Sequence, residues 1–110
     1  MREYKQVHPV DKHSAEQAFA SSDVEKICDA MVAVAFYEQD WKWAQDECLG
    51  FFKNENSDIS GLAATCLGHI ARVHRKLEKE KVIAVLRSRL EDAEIAGRIE
   101  DALDDIEQFV

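Results

Sequence analysis

The residue types able to do chemistry in this chain are scattered, and their spacing excludes most of what they could do. The histidines fall as two pairs, His8 with His13 and His69 with His74, each five residues apart. Two imidazoles share one helical face at a separation of three or four, and no His-Glu-x-x-His run occurs. Cys28, Cys48 and Cys66 include no Cys-x-x-Cys pair. They stand in apolar stretches with no base signalled nearby, so they read as small core residues and not as nucleophiles or metal ligands. Carboxylates are abundant, but acid–base chemistry needs burial to raise a carboxyl pKa, and these fall mostly on polar faces. The glycines, at 50, 61, 68 and 97, are isolated and form no phosphate-cradling loop. No catalytic constellation, metal site or cofactor motif is present.

Two groups remain, and both suit binding. Phe36, Tyr37, Trp41, Trp43, Phe51 and Phe52 are concentrated in one stretch. Helical spacing puts Trp41 and Phe52 with Ala44 and Cys48, which makes them core. Trp43 lies well round the helix from that stripe. It either packs on a leading helix or the end of the fold, or serves with Tyr37 as an anchor for a partner, since Trp and Tyr are favoured at interface centres. The second group is charge. Seven basic residues against Glu78 and Glu80 run from Arg72 to Arg89, and eight acidic residues against Arg98 run from Glu91 to the end. Glu100, Asp101, Asp104 and Asp105 lie within one and a half helical turns, where like charges repel. They also sit toward the C-terminal end of a helix, against its dipole. Stability alone would not select that arrangement, which is evidence for a basic partner.

The elements that position these residues are helices. Pro9 is the single proline and precedes the periodic region, and no run alternates apolar and polar residues long enough for a strand. Ser22 or Asp23 caps a helix whose stripe is Val24, Ile27, Cys28, Met31, Val32 and Ala35. Asp40 caps the next, with Trp41, Ala44, Cys48, Leu49 and Phe52 inward. Ser57 or Asp58 caps a third, with Ile59, Leu62, Ala63, Cys66, Leu67, Ile70 and Val73. A fourth starts near Glu78, and Asp92 opens a fifth carrying Ile95, Ile99, Ala102, Leu103 and Ile106. A short leading helix spans Ser14 to Ala20. The 110 residues predict one domain, 1–110, with 1–12 a flexible or loosely packed segment. The net charge of −8 repels nucleic acid and anionic lipid and attracts basic proteins. The absence of a secretory h-region and of a long apolar run, with free cysteines, predicts a cytoplasmic protein that binds neither membrane nor nucleic acid directly.

The chain also repeats itself. At an offset of 36, Ile59, Gly61, Leu67 and Ile70 fall on Ile95, Gly97, Leu103 and Ile106, and Cys66 on Ala102. At 35, Val24, Cys28, Met31 and Val32 fall on Ile59, Ala63, Cys66 and Leu67. One helix-turn-helix unit per 35 or 36 residues is near the period of α-solenoids. From about Ser22 to Val110 the chain resembles the HEAT-like repeats. The match is strongest over Asp58-Ile-Ser-Gly-Leu-Ala-Ala-Thr-Cys-Leu-Gly-His-Ile70 and Asp92-Ala-Glu-Ile-Ala-Gly-Arg-Ile-Glu-Asp-Ala-Leu103, which look like second helices of such repeats. The resemblance implies an all-α fold, a short right-handed α-solenoid of about three helical hairpins, whose second helices line one concave surface.

The 100° step per residue fixes what that surface carries. Opposite the stripe of the third helix lie Gly61, Ala64, Thr65, Gly68 and Arg72. The repeat offsets carry these to Gly97, Glu100, Asp101, Asp104 and Gln108, and back to Lys26, Asp29, Ala30, Ala33 and Tyr37. The expected partner-binding residues are therefore Asp29, Tyr37, Trp43, Thr65, Arg72, Glu100, Asp101, Asp104 and Asp105, with small residues flooring the groove and Asp105 nearer its flank. A small, acidic, helical-repeat protein is similar to the immunity proteins of bacterial polymorphic toxin systems, including contact-dependent growth inhibition. That resemblance implies a non-enzymatic inhibitor that binds a cognate toxin, a basic nuclease domain, and blocks its active face. An adaptor or assembly subunit binding a basic peptide or protein is the alternative. A helical-repeat enzyme is disfavoured by the missing basic groove and missing catalytic residues.

Overall fold

The computed structural model describes residues 9–110. They form six helices, α1 (Lys12–Ala20), α2 (Val24–Tyr37), α3 (Trp41–Phe52), α4 (Ser57–His74), α5 (Lys79–Arg87) and α6 (Ala96–Phe109), and no strand occurs among the described residues. Of the segment 1–12 expected to be loose, residues 1–8, His8 among them, lie outside the described residues. Asp11 and Lys12 are engaged: the Asp11 carboxylate caps α1 by accepting from Ser14 N at 2.7 Å, and Lys12 Nζ lies 2.7 Å from Asp40 Oδ2.

Helix starts follow the side-chain oxygens. Asp23 accepts from Lys26 N and Asp40 from Trp43 N, each satisfying an amide that the first helical turn leaves open. Two starts differ from the sequence reading. Asn56, not Ser57 or Asp58, caps α4, accepting from Asp58 N at 2.9 Å and Ile59 N at 3.3 Å. Asp92 does not open the last helix, which begins at Ala96. Its carboxylate accepts from Glu94 N two residues on and from Arg89 Nη2 at 2.6 Å. That Asx turn opens a tight turn in which the Asp92 carbonyl accepts from Ile95 N at 3.1 Å and Ala96 N at 2.9 Å, and α6 follows it. Arg89 is held there because its Nη1 donates to the carbonyls of Phe52 at 2.6 Å and Asn54 at 3.2 Å, closing the C-terminus of α3.

The helices pair as three hairpins, α1–α2, α3–α4 and α5–α6. The second members α2, α4 and α6 lie side by side, with α4 in the centre against α2, α3 and α6. This is the expected solenoid-like stack of helical hairpins. The amphipathic stripes supply the core, in which Met31, Cys48, Phe52, Cys66, Leu67, Ile70, Leu86, Ile99 and Ile106 are all buried. Val24 and Val73, assigned to stripes, are exposed instead; each stands in an end turn of its helix. Among polar residues, Gln45 is wholly buried yet satisfied. Its Oε1 accepts from Glu78 N at 2.7 Å and its Nε2 donates to Glu78 Oε1 at 2.8 Å, tying α3 to the start of α5.

Stacking second helices side by side gives the inner ones two buried faces. Gly61, Ala64 and Gly68 are buried in α4, as Ala30 and Ala33 are in α2. These small residues therefore do not floor a groove open to a partner. A Cβ on Gly68 would stand 2.7 Å from Asp105 Oδ2 and 3.3 Å from Ala102 Cα, so glycine sets how closely α6 approaches α4. Gly97, the repeat counterpart of Gly61, meets nothing within 4 Å.

Candidate functional site

The close approach at Gly68 brings α6 carboxylates over polar residues of α4. Thr65 and Arg72 on α4 and Asp101, Ala102, Asp104 and Asp105 on α6 line an open cleft of about 410 Å³. Five of the nine residues assigned to a partner-binding face are thus neighbours, contributed by two helices whose relation the repeat phase anticipated. Arg72 Nε lies 3.6 Å from Asp105 Oδ2, and Arg72 Nη2 lies 2.8 Å from His69 Nδ1. The side chain of Asp105 is about a quarter exposed and that of Arg72 nearly half exposed. A pair so placed is well solvated and contributes little to stability. Asp105 was expected near the flank of the site. It lies in the cleft instead, because α6 closes on α4 directly over Gly68 and turns Asp105 toward Arg72.

Asp101, Asp104 and Glu100 are exposed on α6, and Glu100 stands outside the cleft lining. Glu100 and Asp104 occupy the repeat positions of Ala64 and Gly68, the residues that α6 covers. A helix face that no neighbouring helix covers needs polar residues there. That need accounts for polarity but not for one sign of charge, since lysine or serine would serve equally. Burial lowers the pKa of His69, with Arg72 acting in the same direction and Asp105 against it. The imidazole therefore favours its neutral form beside Arg72.

Tyr37 and Asp29 lie on the neighbouring second helix α2, and both are exposed. Trp43 belongs to a different cluster. Its ring is 6.4 Å from that of Phe19 on α1, and Lys12 Nζ stands 5.4 Å above it. Of the roles open to Trp43 in the sequence, packing on the leading helix is what the structure displays. Phe36 and His69 were not assigned to the site, yet their rings pack at 4.7 Å and His69 contacts Arg72. The available signal was the i, i+3 spacing of His69 and Arg72, one residue beyond Gly68. Among the described residues no group of three His, Cys, Asp or Glu side chains is arranged to hold a metal ion, and no helix is long and apolar enough to cross a membrane.

No family model matches the chain, and no curated protein matches it either. Among solved structures, a chain in the crystal structure of the CDI complex from Cupriavidus taiwanensis LMG 19424 superposes with a TM-score of 0.87. It is 31% identical, and the alignment covers 99% of this chain and 98% of that one. This chain belongs to the family of that CDI protein. The resemblance to immunity proteins of contact-dependent growth inhibition (CDI) systems, drawn from size, charge and architecture, is borne out at this level. The family relation spans the whole hairpin stack, the α4–α6 cleft included.

Proposed function

We propose that this chain is the immunity member of a CDI pair. It binds its cognate toxin domain in the cytoplasm and neutralises it by occupying the toxin's active face. The toxin is a basic nuclease, whose nucleic-acid-binding groove offers lysine and arginine to the carboxylates of α6. The chain acts by binding and not by catalysis. The observation that carries this reading is the end-to-end likeness to a chain of a solved CDI complex. The acidic cleft supports it: Asp101, Asp104 and Asp105 gather on one surface of a chain with net charge −8. Such a surface steers a basic partner and rejects the phosphate backbone that a nuclease would bind. Asp29, Tyr37, Thr65, Arg72 and Glu100 complete the proposed face, and Trp43 falls outside it.

Growth protection tests this. Cells expressing the CDI toxin domain encoded directly ahead of this chain should stop growing, and co-expression of the chain should restore growth. RNA and DNA from the unprotected cells should show cleavage that the chain prevents. Arrest that persists despite soluble, folded chain would refute the immunity reading. Protection from a toxin that leaves nucleic acid intact would refute the nuclease part alone.

A further inference from the structure

The proposed face has an acidic half, and an apolar half adjoins it. Phe36 is 40% exposed, Tyr37 49% and Val73 47%, the most exposed large hydrophobic residues among those described. Phe36 and Tyr37 end α2, with ring centroids 6.2 Å apart. Phe36 also packs on His69 at 4.7 Å, His69 meets Arg72 at 2.8 Å, and Arg72 meets Asp105 at 3.6 Å. One chain of contacts therefore runs from the aromatic end of α2 across α4 to the carboxylates of α6. Val73 lies one turn beyond His69 on α4, on the same helical face. Single exposed apolar residues are ordinary on any surface. Here two aromatics end α2, one ring is already packed on His69, and Val73 follows His69 by one turn on the same face. Aromatic side chains fixed in place before binding are what interface centres favour, because little freedom is lost on association.

Resting on the immunity reading, we propose that Phe36, Tyr37 and Val73 are the apolar anchor site of the toxin-binding face. The occupant is a surface segment of the toxin domain that carries an exposed apolar side chain next to a lysine or arginine. The apolar group seats on Phe36 and Val73 beside His69. The neighbouring cation reaches Asp101, Asp104 and Asp105. Arg72 lies between the two halves and repels a cation placed on the aromatic side, so it fixes the order in which the partner's apolar and basic groups must lie. Charge complementarity selects the toxin over a second copy of this chain, since two such acidic faces repel each other.

The experiment is titration of the full-length chain against the purified CDI toxin domain encoded directly ahead of it. The variants are Phe36→Ala, Val73→Asp and, at the far end of α2, the exposed control Val24→Asp. Thermal melts confirm that each remains folded. Phe36→Ala and Val73→Asp should weaken binding at least tenfold, mainly through faster dissociation that added salt changes little, and Val24→Asp should bind as wild type. Binding by Phe36→Ala and Val73→Asp within twofold of wild type overturns the anchor site and leaves the immunity reading intact. A wild-type chain that does not bind the toxin domain sinks both. A wild-type dimer that Phe36→Ala dissociates, with toxin affinity unchanged, gives the patch to self-association and overturns the proposal.

Discussion

Substituting alanine for Gly68 and for Gly97 should move stability in opposite directions. Both glycines lie within helices, where alanine is favoured by about 0.8–1 kcal/mol. At Gly97 nothing lies within 4 Å of the new Cβ, so the gain should appear nearly whole, at about 0.5–1 kcal/mol. At Gly68 the new Cβ meets Asp105 Oδ2 at 2.7 Å and the backbone of Ala102 at 3.3 Å. Asp105 can swing away from Arg72, but Ala102 Cα moves only if α6 moves. Overpacking of this kind costs about 1–3 kcal/mol, which exceeds the propensity gain for most of that range. The two variants should therefore differ by roughly 1–3 kcal/mol, or about 4–20 °C in Tm for a domain of this size. Urea denaturation followed by far-ultraviolet circular dichroism measures both. Equal stabilisation by the two substitutions would show that α6 does not close on α4 at Gly68, and the cleft built on that contact would fall with it.

The cysteines and His69 give two further tests. Cys48 and Cys66 are fully buried, and the Cys48 thiol is pushed well up by its hydrogen bond with Cys66 and by burial. An alkylating reagent should therefore modify the half-buried Cys28 first and reach the other two on the timescale of unfolding. Rapid labelling of all three in the folded chain would contradict the packing of α3 on α4. For His69, burial and Arg72 set the folded pKa below the ordinary value of about 6.5. At neutral pH both states are unprotonated there and the residue contributes nothing. As pH falls below about 6.5 the unfolded chain takes up the proton first, so stability is lost until the folded value is passed. Tm should fall less between pH 7.5 and 5.5 in His69→Gln than in wild type; an equal fall would show that His69 is not buried against Phe36.

The helix count and most of the helix limits were legible because local chemistry sets them: Asp23 and Asp40 cap where acceptors precede apolar stripes. The start of α6 was not, since Asp92 is diverted by Arg89, which is itself held by carbonyls of Phe52 and Asn54 more than 30 residues earlier. The repeat phase placed Thr65, Arg72, Asp101 and Asp104 on related faces and left Asp105 nearer the flank, and the cleft gathers all five. The same phase misread Gly61, Ala64 and Gly68 as open floor. Periodicity finds small residues on a face but does not reveal whether a partner or the next helix covers them. Phe36 and His69 were missed because their contact joins α2 to α4 at a register that neither helix specifies alone. Gln45 escaped notice because both of its bonds to Glu78 reach 33 residues along the chain, past the whole of α4.

Calorimetric titration of the Asp101→Lys/Asp104→Lys double variant decides whether the proposed α4–α6 cleft binds a basic toxin domain. Both side chains are exposed, so the fold should survive reversal, with a melt close to wild type. The chain should bind the CDI toxin domain encoded directly ahead of it. The double reversal should weaken that binding by about 2 kcal/mol or more, close to thirtyfold, and wild-type association should slow as salt rises. Unchanged affinity in a folded double variant would place the toxin elsewhere and leave the α6 acids as a solvated helix face.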